Sequence, residues 1–221
     1  MTMLAAEGQI ARRSGLVDEV YRRIRADIMS LRILPDARIS VDNLARELGV
    51  SQTPIREALS MLEANQLVSK RHFVGYCAAP RLSLAQLGEL FEFRELIEPY
   101  AARKAAEALT DSAGRGLADI TRQMDSGRSE PQDLFADMDT EFHRLIAQAA
   151  GNNLIADSLA RLHIHVHIFR SSFGHELADE AQNEHRRILA AILARDGDGA
   201  EAQMRAHIAN SFTRMRRFIG E

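Results

Sequence analysis

Four polar side chains interrupt otherwise apolar helix faces in the C-terminal half of the chain. Asp139 and His143 stand four residues apart and therefore share one helix face, which also carries Phe142 and Ile146. A carboxylate and an imidazole are thus directed toward a core. Burial without a partner costs a polar group several kcal/mol, so we expect something to compensate both of them.

Two further histidines follow the same pattern on later predicted helices. His185 is in line with Ile188, and His207 is in line with Ile208. Three imidazoles and one carboxylate suit a divalent metal ion, and the helices of a bundle can bring such ligands together. This set of ligands is compatible with zinc, nickel, manganese or iron, of which we expect zinc. The alternative is a set of separate core histidines, each satisfied by its own hydrogen bonds.

Arg94 is a cation on another apolar stripe, which it shares with Leu90 and Ile97. A buried guanidinium requires an anion, either the carboxylate of a small effector or a structural salt bridge to Asp139 or Glu141. On a later predicted helix, the apolar face also carries His163. We consider His163 a second candidate to line an effector cavity, with ordinary packing as the alternative.

These groups must be positioned by helices, because apolar residues recur at helical spacing throughout this half of the chain. Turn signals such as Gly151 and Asp196-Gly197 separate the segments. The predicted helices span residues 84–109, 117–124, 133–149, 154–173, 179–195 and 198–218. Since each long segment is amphipathic, we expect an antiparallel helical bundle.

The N-terminal part has a different pattern, two short helices joined by a tight turn. Ser40 can cap the first helix and Gly49 can end it, and Ser51 can cap the second. Pro54 falls in the first turn of the second helix, where its missing N–H breaks no hydrogen bond. The spacing predicts a helix-turn-helix.

The second of these helices has polar residues near its N-terminus. Gln52, Thr53 and Arg56 share its outer face. In the major groove of DNA, arginine can bind guanine, glutamine can bind adenine, and a helix N-terminus can hold a phosphate. The alternative is an ordinary helical hairpin whose polar side chains are solvated.

A basic segment follows the two helices. Leu67-Val68 and Phe73–Tyr76 predict two short extended segments around residues 69–72, and Gly75 is available for an unusual backbone angle. Such a pair would form a wing that touches phosphate or the minor groove. Its cationic side chains are those of Lys70, Arg71 and His72.

Charge is distributed unevenly between the two parts. The whole chain has a net charge of −3, with +2 on residues 1–77 and −5 on the remainder. A balance of +2 is weak for a DNA-binding unit, so affinity must come from the local placement of individual cations. The candidates are Arg46, Arg56, Lys70 and Arg71.

Residues 16–80 resemble the winged helix-turn-helix of the GntR family of bacterial transcription regulators. The matching segments are the leading helix Val20 to Leu31, the turn Leu34-Pro35, and the motifs Leu44–Ser51 and Thr53–Leu59. The resemblance implies DNA contacts in the helix-turn-helix and the wing. The implied contact residues are Arg46, Ser51, Gln52, Thr53, Arg56, Lys70, Arg71 and His72.

The chain departs from the family pattern at three places. Asp36 stands where the turn usually has Gly, and Asn65-Gln66 stands where Glu-Gly usually precedes the strand. These two changes should affect only the local backbone. Gln52 stands where Arg is common, which implies an operator different from that of Arg-bearing relatives.

Residues 85–218 resemble the FCD ligand-binding domain, the C-terminal partner in the FadR-like branch of the same family. The match rests on Asp139 to His143, Glu184-His185 and His207. The resemblance implies that the inward Asp and His residues bind one metal ion. It also implies a small carboxylate effector beside that ion, a homodimer, a two-fold related double-stranded DNA operator, and repression released by the effector.

We therefore expect a mainly α-helical protein with a flexible tail at 1–15, a winged helix-turn-helix at 16–80 and a helical effector, metal-binding and dimerisation domain at 84–221. It should be a transcription regulator and not an enzyme. The alternatives are a metal-dependent hydrolase with an accessory winged helix, since a similar ligand set can be catalytic, and a metal-stabilised structural protein. No apolar segment is long enough for a signal peptide or a membrane span, so we expect a cytoplasmic protein without a membrane partner.

Overall fold

The computed structural model describes residues 3–126, 132–170 and 178–217. For residues 3–14, 126, 132–134, 136, 161, 163–170, 178 and 179 it describes the backbone only. The chain divides into two compact units, Met1–Arg81 and Leu82–Glu221.

The first helix, α1 (Met3–Met29), is longer than the sequence pattern predicts. We expected residues 1–15 to form a flexible tail, but α1 includes residues 3–15. The alanine, glutamate, glutamine and arginine residues of that segment all favour helix. The inner face of α1 packs against α3 (Gln52–Ala64) through buried Val20, Ile24 and Ile28.

The structure confirms the helix-turn-helix. The Ser40 side chain caps α2 (Val41–Leu48) by accepting a hydrogen bond from the Asn43 N–H at 3.3 Å. Gly49 then ends α2 with a left-handed φ of 66°, a conformation that costs glycine little. Ser51 takes the N-cap position of α3, but its side chain accepts no capping hydrogen bond there, contrary to our expectation. The N–H groups at the start of α3 therefore lack this internal partner.

A three-stranded antiparallel sheet completes the first unit. Its strands are β1 (Arg38–Ile39), β2 (Val68–Arg71) and β3 (Gly75–Ala78), in the order β1-β3-β2. β1 has only two residues, too few to show a periodic pattern in the sequence. Arg71 pairs with Gly75, so the turn consists of residues 72–74 and not of 69–72 as we predicted. Phe73 therefore lies at the tip of the hairpin and not in a strand.

Two turns of this unit have a backbone conformation that usually requires glycine. Asp36 has a φ of 64° and Gln66 a φ of 59°, and both stand where the GntR pattern usually has Gly. The left-handed conformation is thus kept without the glycine. At Asp36 the side chain also accepts a hydrogen bond from Arg71, which joins this turn to the wing.

The second unit consists of helices in the described residues. These are α4 (Leu84–Glu107), α5 (Asp111–Ser126), α6 (Gln132–Ala149), α7 (Asn153–Arg170), α8 (Ala178–Leu193) and α9 (Gly197–Arg216). They form the predicted bundle around one apolar core in which α4, α6, α8 and α9 meet. α5 begins six residues before the predicted start at Leu117 because the Thr110 hydroxyl accepts a hydrogen bond from the Ala113 N–H. No helix in the described ranges is long and apolar enough to cross a membrane.

Two glycine substitutions should change stability in opposite directions. Gly49→Ala places a side chain at a φ of 66° and should destabilise the first unit by about 1–2 kcal/mol. Gly88 lies inside α4 with open space around its Cα, so Gly88→Ala should stabilise the second unit by about 0.5–1 kcal/mol. Urea unfolding followed by circular dichroism measures both. An unchanged midpoint for Gly49→Ala, or a lower one for Gly88→Ala, would contradict this account.

Candidate metal centre and DNA-contacting surface

Asp139, His143, His185 and His207 come together inside the bundle. One ligand atom from each residue lies within 4.8 Å of the others, and all four side chains are buried. The groups come from three helices, since α6 carries Asp139 and His143, α8 carries His185 and α9 carries His207. Two ligands at about 2.0–2.2 Å from one ion lie up to about 4.4 Å apart, so the observed cluster has nearly the size of a single-ion site.

A second carboxylate, Glu98 of α4, lies beside this cluster. Its Oε2 lies 2.5 Å from His143 Nδ1, and its Oε1 accepts a hydrogen bond from Arg94 Nε at 2.5 Å. The side chains of Arg94 and Glu98 are both almost fully buried. A carboxylate at Nδ1 fixes the orientation of the imidazole and favours the tautomer whose Nε2 is free to bind a metal.

Glu184 of α8 has the same position relative to another histidine. Its Oε2 lies 2.7 Å from His207 Nδ1, and it accepts hydrogen bonds from both terminal nitrogens of Arg214. Burial alone would raise the pKa of Glu184, but the hydrogen bonds from Arg214 and His207 hold that pKa well below its usual range. Glu184 is therefore ionised.

The electrostatics of His207 also favour metal binding. Burial lowers its pKa well below the usual value, although the hydrogen bond to Glu184 acts in the opposite direction. Neutral imidazole is the form that binds metals. The Nε2 of His207 is buried and has no hydrogen-bond partner among the described residues. The residues present therefore fit a divalent metal ion.

The sequence prediction for Arg94 is partly wrong. Its side chain is fully buried, as the apolar stripe indicates, but its salt-bridge partner is Glu98 and not Asp139 or Glu141. Glu98 stands one helical turn from Arg94 on the same face, so an i,i+4 search for opposite charges would have found the pair. His163 lies in α7, but its side chain is outside the described residues, so the structure leaves its predicted role untested.

On the first unit, the polar residues at the start of α3 form a connected exposed surface. Gln52 Nε2 donates to Asp42 Oδ1 at 2.6 Å, and Arg56 donates to Gln52 Oε1 at 3.2 Å. Arg46 donates to Asn43 Oδ1 at 2.5 Å. Ser51, Thr53, Lys70, Arg71 and His72 are exposed as well. We did not predict Asp42 as part of this surface. Its contact with Gln52 is between α2 and α3, and local sequence patterns do not show contacts between helices.

The comparisons with known proteins identify both parts of the chain. Residues 89–210 match the FCD domain, and residues 16–76 match the bacterial regulatory proteins of the gntR family. The chain is 30% identical to the HTH-type transcriptional repressor RspR of Escherichia coli K12, over 93% of this chain and 91% of that protein. It is 25% identical to the galactonate operon transcriptional repressor of the same strain, over 90% and 96%. Its fold is similar to that of E. coli McbR/YncC, with a TM-score of 0.78 at 20% identity over 91% and 97% of the two chains.

The fold and these matches define a DNA-binding transcription regulator and not an enzyme. The chain belongs to the GntR family, in the branch whose helix-turn-helix is followed by an FCD domain. The alternative of a metal-dependent hydrolase has no support among these relatives.

Proposed function

We propose that this protein is a homodimeric repressor, released from its operator by a small carboxylate that binds beside a divalent metal ion in the second unit. One observation carries the effector part of this proposal. Both terminal guanidinium nitrogens of Arg94 are buried and have no hydrogen-bond partner among the described residues. Since a buried cation with free donors is costly, an anionic ligand at this position is favoured.

The metal ligands in this proposal are Asp139, His143, His185 and His207. Glu98 and Glu184 hold two of the imidazoles through Nδ1, which supports metal binding at Nε2. Zinc suits three nitrogens and one oxygen, and nickel, manganese and iron remain alternatives. When bound, the ion would supply a positive charge and an open coordination position for an oxygen ligand.

The effector in this proposal contacts the protein through Arg94. The planar guanidinium can bind a carboxylate through two parallel hydrogen bonds, which an ammonium group cannot do. Glu98 connects Arg94 with His143, so the effector and metal sites share one buried network. His163 of α7 is proposed as a further residue lining the effector cavity.

DNA recognition in this proposal involves the domain at 16–80, which acts on chromosomal DNA in the cytoplasm. Arg56 and Gln52 read base edges in the major groove, and the other contact residues bind phosphates or the minor groove. These others are Arg46, Ser51, Thr53, Lys70, Arg71 and His72. The Nε2 of Gln52 donates to Asp42 and its Oε1 accepts a hydrogen bond from Arg56, so a second lone pair of Oε1 would face a base donor.

Dimerisation in this proposal involves the domain at 84–221 and uses an exposed apolar stripe on α4. Phe93, Leu96 and Tyr100 lie on one helix face and are 42%, 71% and 48% exposed. A second copy that covers this stripe would place two helix-turn-helix units on a two-fold related operator. An effector that prefers one arrangement of the dimer by about 1.4 kcal/mol would change DNA affinity tenfold.

Arg56→Ala should weaken operator binding by about tenfold or more, because a base contact by arginine contributes about 1–3 kcal/mol. The probe is a duplex selected from a random-sequence library by the full chain, and binding is measured by fluorescence anisotropy. Arg122→Ala is the matched control, because Arg122 is an exposed arginine of α5, in the second unit. Equal binding by wild type and Arg56→Ala would reject the assignment of α3.

Protein purified without added ions or chelators should contain about one equivalent of a divalent metal per chain, measured by elemental analysis. The double variant His143→Ala, His185→Ala should lose it, because two of the four ligands are gone. His72→Ala should keep it, since His72 lies at the exposed wing of the other unit. Absence of metal from the wild type, or equal content in the double variant, would contradict the metal site.

A screen of di- and tricarboxylic acids should find at least one that raises the melting temperature of the metal-loaded wild type by about 5 °C at saturating concentration. Arg94→Lys should lose this shift, because lysine keeps the charge that Glu98 needs but not the bidentate geometry. Equal shifts in both proteins, or no shift with any acid, would rule out a carboxylate at Arg94.

A further inference from the structure

Phe73 stands out at the tip of the wing. Its side chain is 97% exposed, the highest value among the large exposed hydrophobic residues of the described chain, where Leu154 follows at 79%. Single exposed apolar side chains are common on protein surfaces. Exposure alone therefore assigns no role to Phe73, whereas its backbone conformation, the support of the wing and the charge around the tip together do.

The backbone at Phe73 is strained. Its φ is 61°, in the left-handed region that three-residue hairpin turns usually fill with glycine. A bulky residue is a rare choice there, because its Cβ approaches the carbonyl oxygen that follows. Within the described ranges, the one ring that Phe73 contacts is that of His72, at 3.8 Å between centroids. Phe73 therefore contributes little to folding, and strain of this kind is typical of ligand contacts.

The base of the wing is held firmly, so the tip has a defined position. The Lys70 N–H donates to Glu63 Oε1 of α3 at 3.2 Å, and Arg71 forms a salt bridge with Asp36. The hairpin itself is paired from Val68 and Ala78 down to Arg71 and Gly75. The wing and α3 thus form one supported surface.

Charge around the tip favours DNA over an apolar protein partner. Lys70, Arg71 and His72 precede Phe73 directly, and all of them are exposed. Cations of this kind bind phosphates and bring the tip to the groove between them. Proteins that bind the minor groove often insert an apolar side chain between base pairs there, which partly unstacks one step.

We propose that Phe73 enters the minor groove beside the half-site bound by α3 and acts as an apolar wedge that unstacks one base step. At this position, Phe73 distinguishes DNA sequences by how easily a base step unstacks and not by hydrogen bonds to the bases. Pyrimidine–purine steps unstack most easily, so the operator should carry one at this position. This inference rests on the DNA contacts proposed above for α3 and the wing.

Phe73→Gly is the decisive variant, because it removes the ring and also relieves the strained backbone. Its affinity for the library-selected duplex should fall by about tenfold, the effect expected for losing one aromatic–base contact. Its melting temperature should equal or exceed that of the wild type, because glycine adopts a φ of 61° without strain. Phe73→Trp should keep most of the affinity. Leu34→Ala, at a loop residue that is 58% exposed, is the control and should bind normally.

Fluorescence of 2-aminopurine, placed in turn at each position of the half-site flank, reports the unstacking. Wild type should raise the fluorescence at one step, and Phe73→Gly should not. If Arg56→Ala weakens binding while Phe73→Gly binds as wild type, the wedge is wrong and the proposed DNA contacts stand. If Phe73→Gly weakens binding but wild type leaves the fluorescence unchanged at every position, the residue contacts DNA without unstacking it, which also overturns the proposal. If Arg56→Ala binds as wild type, the proposed function itself fails.

Discussion

The second unit depends on the mutual neutralisation of charges inside an apolar bundle. Arg94 and Glu98 are buried together, and so are Glu184 and Arg214. An unpaired ion in such surroundings would cost several kcal/mol, a large part of the roughly 5–15 kcal/mol by which most domains are stable. Arg94 and Glu98 lie on the same helix, whereas Glu184 and Arg214 join two helices, so keeping the second pair together limits how α8 and α9 can move relative to one another.

The two buried carboxylates connect this electrostatic requirement with the cluster of histidines. Glu98 and Glu184 each have one oxygen near an imidazole Nδ1 and another near a cationic side chain. The same groups that compensate the buried arginines thus orient His143 and His207. A ligand that binds at Arg94 would change the balance of charge around Glu98. The geometry therefore offers a physical connection between an anion and the arrangement of the bundle.

The DNA-contacting surface proposed on the first unit follows the opposite principle, because its polar groups face outward. The core of this unit consists of residues such as Ile24, Ile55 and Leu59, while the polar residues at the start of α3 remain exposed. The hydrogen bond between Gln52 and Asp42 restrains one of these side chains before any DNA is present. A side chain that is already oriented loses less conformational entropy on binding.

Local features of the sequence were sufficient for the helix-turn-helix and for most of the bundle. Ser40 and Gly49 act on neighbouring backbone groups, and Asp139 and His143 share a face because of helical periodicity alone. Three features lay beyond such reasoning: the two-residue strand β1, the hairpin register that puts Phe73 at the tip, and the contact of Glu98 with His143. Helix caps and helical periodicity involve residues within one or two helical turns of each other. The pairing of β1 and the contacts between helices join residues far apart in sequence, and the register of the hairpin depends on its turn geometry and on which face is buried, so only the tertiary structure decided them.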